Sequence, residues 1–153
     1  MHKNNDKNET DYWDHIYEYE IDSSWLNATR EKFPRYDDYR ANFAKAQKRT
    51  YTGNFPLALE IEASYYCNLK CPYCPRVPGA NEMRDGHLDM ELVKKIISEA
   101  KKNKLPSMLM DHEAESLMNP EFFDILEMVK DAGIFDIWLH TNANMLTGKL
   151  AER

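Results

Sequence analysis

The sequence has no apolar run of about 18 residues or more, the length a helix needs to cross a bilayer, so no transmembrane helix is expected. It also lacks an excess of positive charge. Its 20 Lys and Arg stand against 26 Asp and Glu, a net charge of −6, and the pI is near 5.4. General affinity for nucleic acid or for an anionic membrane needs clustered Lys and Arg, and this balance argues against both. Met1 to Asp14 is polar and has no apolar stretch, so it does not read as a secretory signal. Cysteine is scarce and confined: there are three, an odd number, all between Cys67 and Cys74. Neighbouring thiols that avoid disulfides suit a reducing compartment, and the cytoplasm is the expected location.

What is present fits a soluble globular chain. The 153 residues are 42% hydrophobic and 30% charged, enough for one domain with a real core. The stretch Cys67-Asn68-Leu69-Lys70-Cys71-Pro72-Tyr73-Cys74 carries the chemistry. Three thiols this close can converge on one metal centre from a single loop. They leave one position of a four-coordinate site, or one iron of a four-iron cluster, without a protein ligand. An open position is where a metal site does chemistry.

Along the chain, residues 1–11 are polar and expected to be disordered. From Tyr12 to Glu20 aromatics and acids interleave, in a pattern that suits an arm packed on the main domain or a partner surface. Ser23-Ser24 is a candidate cap for a helix through Lys32, which Pro34 punctuates. Residues 35–49 predict a second helix, with Tyr36, Tyr39, Phe43 and Ala46 along one stripe. Residues 12–54 together form a helical extension ahead of the main domain.

Residues 57–63 alternate with period two and predict a strand. Leu57, Leu59, Ile61 and Ala63 form its apolar face, and Glu60 and Glu62 the other. If helices cover the apolar face, the glutamates point inward. The cysteine loop follows, kept irregular by Pro75, Pro78 and Gly79. Residues 89–102 predict a helix with Asp89 as N-cap, Leu88 as a staple against Val93, and a stripe of Leu92, Val93, Ile96, Ile97 and Ala100. Lys94, Lys95, Lys101 and Lys102 read as its solvated face. A short strand follows at 107–110. The next helix has Asn119 as N-cap, Pro120 at its first position, Gly133 beyond its end, and Phe122, Leu126 and Val129 inward. Residues 134–141 predict a third strand, and 146–153 a further helix. Alternation of strand and helix predicts a parallel sheet with right-handed crossovers. Polar residues gather after each strand, at the C-terminal edge where such sheets carry their sites.

Glu60-Ile61-Glu62-Ala63-Ser64-Tyr65-Tyr66-Cys67 through Cys74 resembles the signature of the radical S-adenosylmethionine (radical SAM) enzymes. There a loop after the first strand carries Cys-x3-Cys-x-aromatic-Cys, matched by Cys67, Cys71, Tyr73 and Cys74. The resemblance implies a 4Fe–4S cluster on Cys67, Cys71 and Cys74, with SAM chelating the remaining iron and Tyr73 near its adenine; packing of Tyr73 under the loop is compatible with that. It implies reductive cleavage of SAM to a 5′-deoxyadenosyl radical that abstracts hydrogen from a substrate the sequence does not name. It also implies an electron donor such as a flavodoxin or ferredoxin.

Glu113-Ala114-Glu115-Ser116-Leu117-Met118-Asn119-Pro120 is similar to the family's Gly-Gly-Glu-Pro-Leu-Leu-Asn-Pro stretch. There backbone and carboxylate hold the amino group of SAM, which implies Ala114 and Glu115 here. Taken alone, Glu113 and Glu115 read as solvated loop acids. Glu113 and Ala114 stand where the family has glycines and Ser116 where it has proline, and a Cβ limits the backbone angles available. Thr141-Asn142-Ala143-Asn144 resembles the family's Thr-Asn-Gly, so Asn142 either lines the cavity or caps the turn.

The fold implied is α/β: the N-terminal half, strand-helix-strand-helix-strand, of a partial (βα)6 TIM-like barrel. The domains expected are a disordered 1–11, a helical extension 12–54, and an incomplete radical SAM core at 55–153. The later strands are absent, which makes the chain an N-terminal fragment, completed by a C-terminal half or a dimer mate. No second cysteine group exists for auxiliary clusters. Two other readings compete. One is a catalytically inactive fragment serving as a binding scaffold. The other is a zinc module on the three cysteines and a histidine such as His87.

Overall fold

A computed structural model of the chain describes residues 23–74, 86–110 and 112–152. The expected disordered tail, the aromatic–acidic arm and the prolines of the loop's second half lie outside them. The chain divides into two compact units, Met1–Arg35 and Tyr36–Arg153.

In the first unit, helix α1 spans Ser23–Lys32. It already includes both serines expected to cap it. Phe33 N–H donates to Thr29 O at 2.8 Å and closes the last turn. Pro34, with no N–H to give, stops it. Arg30 and Lys32 in that turn suit the helix's negative end.

The second unit opens with helix α2, Tyr36–Gln47, whose first turn carries Asp37 and Asp38. It ends before the expected residue 49 because Arg49 turns left-handed at φ 56°, and Thr50 N–H reaches back to Lys45 O at 2.9 Å. Of the expected stripe, Tyr39 is buried, Tyr36 and Phe43 are half-buried, and Ala46 is exposed.

Among the described residues the sheet has three parallel strands in the order β1-β2-β3. They are β1 Ala58–Glu60, β2 Ser107–Leu109 and β3 Asp136–Trp138. Leu59 stands beside Met108, and Met108 beside Ile137. The strands are shorter than the alternating patterns predict. Alternation reports which side chains are buried, and burial continues where ladder pairing stops: Ile61 and Ala63 are buried beyond β1. Single bonds prolong the ladders, from Ile61 N–H to Leu109 O and from Met110 N–H to Trp138 O, both 2.9 Å. Beyond β1 the chain pairs differently: Ser64 bridges antiparallel to His87.

The predicted faces hold along β1. Ile61 and Ala63 are buried and Leu57 and Leu59 half-buried, whereas Glu60 is exposed and Glu62 half-buried on the other side. The apolar face meets two helices. Helix α3, Met90–Lys102, is capped by Asp89, whose carboxylate accepts Leu92 N–H at 2.9 Å. Val93, Ile97 and Ala100, at i, i+4 and i+7, are its buried stripe. Leu92 lies outside that stripe and is 46% exposed, a correction to the predicted core. Helix α4, Phe122–Asp131, begins two residues beyond Pro120. Its N-cap is Glu121, with no side-chain cap bond, a correction to the predicted cap at Asn119; Asn119 Oδ1 accepts Glu121 N–H at 2.8 Å in the turn before the helix. The inward residues are Phe122, Ile125 and Val129; Leu126 is only half-buried. Gly133 lies past the end at φ 82°. A 3₁₀ turn at Ser116–Met118 was not legible in the sequence pattern. Helix α5 is a single turn, Gly148–Ala151, capped by Thr147.

Helix α2 meets the N-terminal edge of this sheet. The Tyr39 hydroxyl donates to Asp136 Oδ2 at the start of β3. The Tyr36 and Tyr39 rings face Phe135 at 6.4 and 5.7 Å. Burial, then the neighbouring Asp136, pushes the Tyr39 pKa up to about 12, because both disfavour the phenolate. No helix among the described residues is long and apolar enough to cross a membrane.

Candidate functional site

Because the strands are parallel, the segments that follow them leave from one edge. The cysteine loop follows β1, Glu115 follows β2, and Asn142 follows β3. Hydrogen bonds join all three. Glu115 N–H donates to Tyr66 O at 3.0 Å, tying the residue before Cys67 to the β2 segment. The Glu115 carboxylate gathers the rest. Its Oε1 accepts Leu117 N–H at 3.1 Å and the Thr141 hydroxyl at 2.8 Å. Its Oε2 accepts the Asn142 N–H at 2.8 Å. The Asn142 amide nitrogen donates to Asn68 Oδ1 at 2.8 Å and lies 4.0 Å from Cys67 Sγ.

Glu115 is only 2% exposed, so it is not the solvated acid that its loop position predicts. A buried carboxylate needs donors, and charge-assisted bonds to backbone and hydroxyl supply them. Glu113 and Ala114 are half-buried. Neither has a positive φ, so the backbone here does not require the glycines of the resembled motif. Glu113 N–H donates to Glu62 Oε1 at 3.2 Å, a second tie between the β1 and β2 segments. Where Thr-Asn-Gly has its glycine, Ala143 does adopt φ 60°, a conformation that disfavours a Cβ.

The three cysteines are free thiols, with Cys67 and Cys74 half-buried and Cys71 exposed. Cys74 N–H donates to Cys71 O at 3.0 Å, a tight turn over Pro72 and Tyr73. Tyr73 is 100% exposed, so it does not pack under the loop. Among the described residues no three His, Cys, Asp or Glu side chains are grouped to hold one metal ion. The His87 ring meets Tyr66 edge to face at 5.3 Å.

Glu60, Glu62 and His112 line an open cavity of about 240 Å³ on the face away from the helices. His112 Nδ1 and Glu60 Oε1 are 3.0 Å apart, and that bond holds the imidazole above its ordinary pKa. Sequence reasoning passed over Asn68, Ser64 and the tie made by Asn119. Ser64 is buried and its Oγ accepts Tyr66 N–H at 3.1 Å. Asn119 Nδ2 donates to Ala63 O at 2.7 Å. An amide side chain directly after a candidate ligand cysteine was the available signal for Asn68; the other two depend on contacts that no local pattern encodes.

The family model described as "Radical SAM superfamily" matches residues 61–153, more than half of the chain. The chain belongs to the radical SAM superfamily. Members of this superfamily generally use a 4Fe–4S cluster and SAM. Among solved structures it is similar to BtrN in complex with AdoMet and 2-DOIA, with a TM-score of 0.58 and 19% identity, covering 66% of this chain and 42% of that one. It is equally similar to selenomethionine BtrN in an open conformation, with a TM-score of 0.58, 19% identity, and coverage of 66% and 45%. At that identity the likeness establishes the fold. The radical SAM chain described here spans less than half the length of the BtrN chains it matches. No curated protein gives a significant match.

Proposed function

We propose that this chain is the N-terminal part of a radical SAM enzyme, built as the first half of a partial (βα)6 barrel at residues 55–153 behind an extension at 12–54. Cys67, Cys71 and Cys74 hold three irons of a 4Fe–4S cluster, and SAM takes the fourth. The observation that carries this reading is the meeting of the three post-strand segments at one sheet edge, with the free thiols among them. The donor set fits the group: thiolates are the ligands of such clusters, and three leave one iron open. A cluster held there would supply one-electron reduction of the SAM sulfonium, giving methionine and a 5′-deoxyadenosyl radical.

The chain's own residues do the rest. Cys71 is exposed and Cys67 and Cys74 are half-buried, with Cys67 beside Asn142. Tyr73 stands free beside them to cover an adenine ring. Glu115 has its oxygens engaged by protein donors, so its part toward the SAM ammonium is chiefly to shape the loop that presents Ala114 and neighbouring carbonyls. A flavodoxin or ferredoxin supplies the electron, and the reducing cytoplasm keeps the thiols free. A scaffold without activity is the second reading, favoured by the Glu115 carboxylate, whose oxygens are already engaged by protein donors.

Anaerobic reconstitution with iron and sulfide tests these readings. Wild type is expected to take up a 4Fe–4S cluster, seen by iron content and visible absorption, and to release 5′-deoxyadenosine from SAM under reductant. Cys71→Ala is expected to abolish stable cluster assembly. Cluster without SAM cleavage selects the scaffold. Bound zinc with no cluster refutes the proposal.

A further inference from the structure

A primary amide has one acceptor end and one donor end, and its neighbours decide which way it faces. Asn142 Oδ1 accepts the Asn144 N–H at 3.0 Å, closing a turn. The amide nitrogen must therefore face the other way, toward the cysteine loop. It carries two hydrogens. Asn68 Oδ1, at 2.8 Å, takes one. The other is available to Cys67 Sγ at 4.0 Å, within reach of a sulfur acceptor. Behind it, Glu115 Oε2 holds the Asn142 main-chain N–H at 2.8 Å, so the residue is fixed at its backbone as well. Ala143 N–H donates to Thr141 Oγ1 at 3.0 Å and completes the turn.

We propose that Asn142 is a positioning residue that donates a side-chain N–H to the Cys67 sulfur and thereby raises the reduction potential of a cluster held there. The inference rests on the cluster assignment above. Reduction adds negative charge to a cluster and its thiolates. A donor on a ligand sulfur stabilises that charge, so its removal makes reduction harder. Asn142 thus acts through Cys67 and need not touch substrate or SAM. The same contact links a residue after β3 to a ligand after β1, across a sequence separation of 75 residues.

The test is a reductive titration of the reconstituted full chain, following the electron paramagnetic resonance of the reduced cluster. Asn142→Leu removes the donor at similar volume. Asn142→Asp keeps the acceptor for Asn144 N–H but replaces the donor with an anionic oxygen. Both are expected to shift the midpoint potential to more negative values, Asp further than Leu. Asn68→Ala removes the neighbouring anchor and leaves the N–H facing sulfur, so its shift is expected to be smaller than that of Asn142→Leu. Circular dichroism checks that each variant is folded. If a folded Asn142→Leu takes up no cluster, the potential of Asn142→Asp decides, and a wild-type value there overturns the inference. A wild-type potential in both Asn142 variants, or an equal shift in Asn68→Ala, overturns the inference alone. Failure of the wild-type chain to take up any cluster overturns the cluster assignment, and this inference with it.

Discussion

At the N-terminal edge of the sheet, Asp136 is held by an aromatic group: the Tyr39 hydroxyl donates to it, and Phe135 packs on the Tyr36 and Tyr39 rings. At the C-terminal edge, Glu115 is held by main-chain N–H groups and a hydroxyl from loops. Each carboxylate joins elements far apart in sequence. The first anchors a helix by burial, which is non-directional and tolerates small shifts. The second fixes loops by directional bonds, which set where their side chains point. Burial fastens the first edge, and directional bonds set the geometry of the second.

Substitutions can break that contrast or sharpen it. The largest effect is expected from Glu115→Ala. It strands the Leu117 and Asn142 N–H groups and the Thr141 hydroxyl, at a cost of about 3–5 kcal/mol. Urea unfolding measures this; a cost below about 1 kcal/mol would show that water or other groups replace the carboxylate readily. Tyr39→Phe is expected to cost about 1–2 kcal/mol through the lost bond to Asp136. It also changes the alkaline limb. The Tyr39 pKa is raised from 10.0 to about 12 in the fold, so its contribution is complete below pH 10 and lost as pH rises toward 12. Thermal melts across that window should show a loss in wild type that Tyr39→Phe lacks.

Ala143→Gly acts in the opposite direction. It relieves the Cβ at φ 60° and should stabilise the chain by up to about 1 kcal/mol, partly offset by the freer unfolded chain. A raised Tm checks it. Smallest is Glu60→Gln, which removes the anionic partner of His112. The imidazole is held above 6.5 chiefly by that bond, so its NMR titration midpoint should fall. The Glu60–His112 contact in wild type is present at low pH and lost as pH rises through that midpoint.

The order of elements, the parallel arrangement and the cap at Asp89 were legible because they depend on neighbours along the chain. The alternation at 57–63 correctly separated Ile61 and Ala63 from Glu60 and Glu62. It overstated strand length, since burial and ladder pairing are different quantities. Leu92 and Leu126 were placed too deep and Ile125 was passed over because helix periodicity leaves the flanks of a stripe undecided, and only the packed sheet decides them. The cysteines were legible from their spacing alone. The burial of Glu115 was not, because its donors come from Leu117, Thr141 and Asn142, two of them on a different strand's loop.

The bond between Asn142 and Asn68 spans 74 residues. On the ribosome the thiols therefore emerge well before the side chains that will hold their loop. Long-range closures of this kind form late, after the entropy of the intervening chain has been spent. The nascent cysteines pass through a period in which they are free to meet oxidants or stray metal ions. Loading of the proposed cluster after completion of the third strand would meet an already ordered loop, so its timing relative to synthesis would bear on the state of the thiols it finds.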